Sequence, residues 1–188
     1  MTKNIKLPMF VASSSRISEM ISSLRLLREE EWQSVYIDSN SMEEWIRYPL
    51  WDHHGPGPIC LRRGNPSLED ILRCIEQSES DAEVSAAAYH LVNILDGGKE
   101  NCAPLIERLE SAFETVTTSR LMRNAALAIA WSQADRRFNY RSPLGKTPEQ
   151  VEFDYEYFVA MANRASVIKT SAEAVLGLTI SQKSTSFE

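Results

Sequence analysis

Two octapeptides decide how this chain is read: VSAAAYHL, Val84 to Leu91, and MRNAALAI, Met122 to Ile129. At an offset of 38, Val84 falls on Met122, Ala87 on Ala125, Ala88 on Ala126 and Leu91 on Ile129. The spacing of three and four puts each set on one helical face. The paired alanines are the small side chains that close helix packing requires. The same offset carries Leu68 to Ile106, Ile71 to Leu109, Cys74 to Ala112 and Ile75 to Phe113. Each octapeptide is thus the second helix of a pair. Ser67 with Asp70 reads as a cap for the first pair, Gly97-Gly98 as its close, and 117–119 as the break within the second. A period near 40 with helix–turn–helix content marks helical-hairpin repeats.

On these residues, Ser67 to Gln133 resembles the HEAT-like helical repeat class. The resemblance implies an all-α fold and a habit of binding proteins or peptides, and it supplies no catalytic residues. The expectation is therefore a single all-α domain, a compact stack of antiparallel helical hairpins. Residues 1–66 form an irregular N-terminal cap and 67–133 two hairpins. Residues 134–180 hold an insertion and a degenerate third hairpin, and 181–188 a loose tail. Within the cap, Ser14–Glu31 reads as a helix on the spacing of Ile17, Met20, Ile21, Leu24 and Leu27. Residues 35–37 read as a short extended piece, and Ser41 with Glu44 as the capping box of a short helix. In the third unit, Thr147-Pro148 starts a helix to about Arg164. A last helix spans Thr170 to Thr179.

The stretch PLWDHHGPGPICLRRG, Pro49 to Gly64, has the ingredients of a site: two of the three histidines, an aspartate and a thiol. Its glycines and prolines read as a stiff loop. Adjacent histidines on an extended backbone point apart. No Cys-x-x-Cys, His-Glu-x-x-His or His-x-His spacing accompanies them. The loop is expected to be ordered or to contact a partner, with Trp51 and His53 as its contact residues; the alternative is that Trp45 and Trp51 cap the N-terminal end of the core. No metal or cofactor is expected. Catalytic signatures are missing too: there is no Gly-x-Ser-x-Gly, phosphate-binding glycine loop or dinucleotide fingerprint.

Two further sets are candidates for partner contact. If Val84, Ala87, Ala88 and Leu91 face inward, His90 and Asn93 lie outward, and Trp131 follows in the second repeat. The alternative for Trp131 is burial under the insertion or the helix after it. On the helix TPEQVEFDYEYF, Glu149, Glu152 and Glu156 are spaced three and four apart and share a face; the alternative is an ordinary solvated face.

The 188 residues carry a formal net charge of -6 with 43% hydrophobic content. That balance opposes nucleic-acid binding, which needs a positive field, and suits a basic protein partner. Nothing approaches the roughly 18 apolar residues of a membrane span. Cys60, Cys74 and Cys102, odd in number and widely spaced, fit reduced thiols in a cytoplasmic protein. The functional expectation is a non-enzymatic binding protein. In its most specific form it is a cytosolic immunity protein that occludes the basic active cleft of a toxin, a reading drawn from the general resemblance to HEAT-like immunity proteins. The alternatives are an adaptor binding a peptide within a larger complex, and an enzyme or metal site built on Asp52-His53-His54.

Overall fold

The computed structural model of the chain describes residues 8–52, 55–115 and 118–181, and for 51, 52, 55 and 56 it describes the backbone alone. It overturns the all-α expectation. The strands β1 (Phe10–Val11), β2 (Arg25–Glu29), β3 (Ser34–Ile37), β4 (Glu44–Asp52) and β5 (Gly55–Arg63) form one antiparallel sheet in the order β1-β5-β4-β3-β2. The helices are α1 (Ser14–Ser23), α2 (Leu68–Gln77), α3 (Asp81–Asn93), α4 (Cys102–Thr115), α5 (Ser119–Ser132) and α6 (Pro148–Leu176). The fold is mixed α/β, and neither "helical" nor "HEAT-like repeat" describes the chain.

The expected cap is the sheet. Residues paired across an antiparallel ladder share a face. Tyr48 opposite Cys60 and Phe10 opposite Arg62 therefore look the same way, toward the helices, where Phe10, Tyr48, Leu50 and Cys60 join the main core. Trp45, Val11 and Leu61 look the other way and enclose a smaller core with Ile17 of α1. A sheet covered on both faces shows no apolar/polar alternation. That is why EWIRYPLWD and GPGPICLRR did not read as strands.

Four local expectations fail for identifiable reasons. The helix begun at Ser14 stops at Ser23, not Glu31. Ser22 and Ser23 donate their hydroxyls to the carbonyls of Glu19 and Met20 at 2.7 and 2.8 Å, competing with helix continuation. Beyond it, β2 is an edge strand with every residue exposed and a bulge between Leu26 and Arg28.

The predicted capping box at Ser41 is instead a turn organised by Asp38. Its carboxylate accepts from the Asn40 N–H at 2.8 Å and the Ser41 hydroxyl at 3.0 Å, and Met42 takes a positive φ of 59°. Trp45 and Ile46 then lie in β4 rather than a helix.

The glycines and prolines of 55–58 do not stop regular structure; they lie in β5, paired to β4 through a register shift between Pro49 and Trp51. Gly57 is required there, because a Cβ would stand 2.5 Å from the Leu50 carbonyl oxygen. Pro49 is tolerated because β4 has already outrun β3, whose last pairing on that side is Ser34 with Arg47.

The helix expected to end about Arg164 and the separate one expected over Thr170 to Thr179 are one helix. α6 runs for 29 residues from a Thr147/Gln150 capping box to Gly177 at a φ of 65°. Phe158, Met161, Ala162, Ala165, Ile168 and Ala172 keep one buried stripe through it.

Both helix pairs read from the 38-residue offset form as helices. α2 is capped by the Ser67/Asp70 box. Val84, Ala87, Ala88 and Leu91 are buried, as are Met122, Ala125, Ala126 and Ile129. α3 packs against α2, α5 and β1, and α5 packs against both α3 and α6. α3 is therefore enclosed by helices on one side and the sheet on the other.

Candidate functional site

The expected contact residues separate into three groups. Glu149, Glu152 and Glu156 come together as predicted: they lie exposed on the first turns of α6. With Pro148 and Phe153 they line an open groove. Phe153 is 67% exposed, and Leu144, on the segment leading into the helix, is 88% exposed. The thread between them, Asp154, is not part of this surface. It is buried, bonded to Arg141 at 2.7 Å and to Lys146, whose contacts hold its carboxyl below the usual carboxylate range, Lys146 first. The basic insertion thus neutralises Asp154 and leaves the three exposed glutamates uncompensated by Arg141.

His90 and Trp131 are not outward. They are 2% and 4% exposed. The physical reason is that α3 is buried along its whole length from Val84 to Val92, and α5 from Asn124 to Ser132. The side assigned to solvent faces other elements of the fold. One signal was available: the supposed outer face carries Ala86 and Ala128, and a helix apolar all round is a buried helix. Asn93, at the end of α3, is exposed, with its amide donating to the Tyr89 carbonyl at 3.0 Å. His53 and His54 lie outside the described residues. Trp51 pairs with Pro56 through its backbone, and its side chain lies outside them as well.

His90 belongs to a buried polar cluster beneath the sheet. Its Nδ1 shares a 3.4 Å hydrogen bond with the Tyr48 hydroxyl, and its ring lies 5.5 Å from that of Phe10. Burial, with the nearby Arg62 charge, lowers its pKa to about 3, so the imidazole is neutral. Cys60 sits beside Tyr48, and burial pushes its thiol up to about 12. A thiol held protonated is a poor nucleophile. Cys102 is similarly raised, to about 11, and burial raises Cys74 too; all three cysteines are free. Among the described residues, no group of three or more His, Cys, Asp or Glu side chains is arranged to hold a metal ion. No described helix is long and apolar enough to cross a membrane.

The residues that sequence reasoning missed are Arg62, Tyr48 and Trp32. They meet at a second pocket between the sheet and the end of α3. Once 49–64 is taken as a loop, nothing marks Arg62 as inward-facing, so no signal short of strand register would have found it. No protein-family model matches the chain, and neither does any curated protein or solved structure.

Proposed function

We propose that the protein works by contact, as a non-enzymatic binding protein whose α6 face docks a basic protein partner. The observation that carries this is the joint exposure of Glu149, Glu152 and Glu156 around Phe153, on a rigid 29-residue helix. Acids alone make a solvated face; acids ringing an exposed aromatic make an anchor with an electrostatic rim. The net charge of -6 adds long-range attraction for a positively charged partner. The neutral His90 and protonated Cys60, sealed beneath the sheet, support the non-enzymatic reading over a thiol–imidazole enzyme. The most specific form of the proposal is an inhibitor that covers the basic cleft of a toxin.

The test is affinity capture from native extract at low and raised salt, followed by mass spectrometry, with wild type and the pair Glu152→Lys, Glu156→Lys compared. One basic protein at one-to-one ratio, lost in the charge-reversed variant and weakened by salt, supports the proposal. A nuclease or similar enzyme silenced by the protein supports the inhibitor form. Several members of one complex, retained by the variant, favour an adaptor instead and sink the α6 face as the docking site.

A further inference from the structure

A pocket of about 520 Å³ opens beside the sheet, away from the α6 face. It exists because β4 runs past the end of β3: Ser34 pairs with Arg47, and no β3 residue follows along Tyr48 and Pro49. The turn between β2 and β3, carrying Trp32, closes over this open side, and Tyr89, Asn93 and Ile94 at the end of α3 form the opposite wall.

Arg62 lies among the lining residues and is only 8% exposed. One terminal nitrogen, Nη1, donates to Asn65 at 3.0 Å. Its Nε is buried with no hydrogen-bond partner, and no carboxylate among the described residues pairs with it. The carbonyls at the end of α3 already have donors of their own: Tyr89 O accepts from Asn93, His90 O from the Ile94 and Leu95 N–H groups, and Leu91 O from Asn101. A buried cation with no counter-ion among the described residues is costly, and a planar guanidinium is shaped to receive two oxygens of one acid.

We propose that this pocket binds a small organic monocarboxylate with an apolar or aromatic body, its carboxylate seated on Arg62 and its body against Trp32, Pro49 and Ile94. The volume is that of a small-ligand site; Trp32, Ile46, Pro49 and Ile94 supply apolar wall and Arg62 its one cation. Glu30 and Glu31 also line the pocket. Glu30 is engaged by Arg28 and Gln33, both at 2.6 Å. Beside these acids and a single cation, a monoanion is favoured over a phosphate dianion.

Phenylacetate is the probe, titrated calorimetrically into the full chain, with benzylamine and inorganic phosphate as comparisons and thermal unfolding recorded alongside. The expected result is saturable one-to-one binding of phenylacetate alone, and a melting temperature that climbs with its concentration. Arg62→Gln weakens that binding tenfold or more, about the loss of one charge-assisted contact. Should Arg62→Gln fail to fold, Asn93→Trp carries the test: it fills the mouth from an exposed position and abolishes binding while leaving Arg62 in place. Absence of saturable phenylacetate binding overturns the proposal. So does equal binding of benzylamine or phosphate, or full affinity in a folded Arg62→Gln or Asn93→Trp.

Discussion

Arg141 grips Glu100 with two parallel hydrogen bonds, Nε to Oε1 at 2.7 Å and Nη2 to Oε2 at 3.1 Å, across 41 residues of sequence. Its remaining nitrogen, Nη1, bonds Asp154 of α6 at 2.7 Å, and its guanidinium lies 4.6 Å from the centre of the Tyr157 ring. One side chain thus ties the irregular segment 134–147 to both the turn before α4 and the start of α6. That tie sets where Leu144 and the α6 glutamates stand relative to the rest of the fold.

Arg141→Ala is expected to lower stability by roughly 1–2 kcal/mol, a value kept modest because the pair is partly solvated. Denaturant unfolding measures it, and a double-mutant cycle with Glu100→Gln isolates the forked contact. A cycle with no coupling energy would mean the fork contributes nothing. Arg141→Lys should recover little, since an ammonium cannot reproduce the planar fork.

Acid should unfold the protein earlier than its carboxylates alone require. His90 is held neutral with a pKa near 3 against an ordinary 6.5, so the unfolded chain binds a proton that the folded chain refuses. Stability is full above pH 6.5 and falls as pH drops from there toward 3, at a slope approaching about 1.4 kcal/mol per pH unit. Unfolding free energies at several pH values check this, and His90→Gln should flatten the slope. At lower pH Asp81 adds to the loss. Burial alone would raise its pKa, but Arg123 and Arg120 outweigh that and hold it low, so its contribution is present above the ordinary aspartate range and disappears on protonation.

Ala126→Leu should destabilise by roughly 1–3 kcal/mol, because α5 passes between α3 and α6 with no room for a branched side chain. Ala126 is fully buried. The shift of the denaturation midpoint reads the effect; a stabilised variant would mean the helices stand further apart than the structure places them.

Gly57→Ala should cost about as much, for a different reason. The new methyl group would meet the Leu50 carbonyl oxygen at 2.5 Å, so one strand of the β4–β5 hairpin must shift. Hydrogen exchange of the hairpin amides locates the damage: faster exchange in β4 and β5 with α2 to α5 unchanged is the expected pattern.

The helical half of this fold is legible in the sequence because its signals are local. Ser67 with Asp70 and Thr147 with Pro148 announce helix starts, and Leu68 to Ile75 repeats at three and four. The sheet is not legible, because its strands are defined by what covers them. Trp45 and Tyr48 are both buried, on opposite faces, and a strand buried on both sides loses its period. The same physics governs the sites. The glutamates of α6 face solvent on a helix with one buried stripe, so spacing alone placed them. His90 and Trp131 sit on helices enclosed on every side, where spacing cannot say which face is outward. Arg62 required a strand register that only the folded partners supply.

The exposed edge of the sheet bears on the protein's behaviour in crowded solution. An unpaired strand is a template on which another molecule can lay its own backbone. Here β2 carries Arg25, Arg28 and Glu29 on that rim, and the bulge after Leu26 interrupts the row of amides and carbonyls a newcomer would need in step. The rim ends the ladder: a stack of these molecules growing strand upon strand would have to bury charge and break step at its first joint.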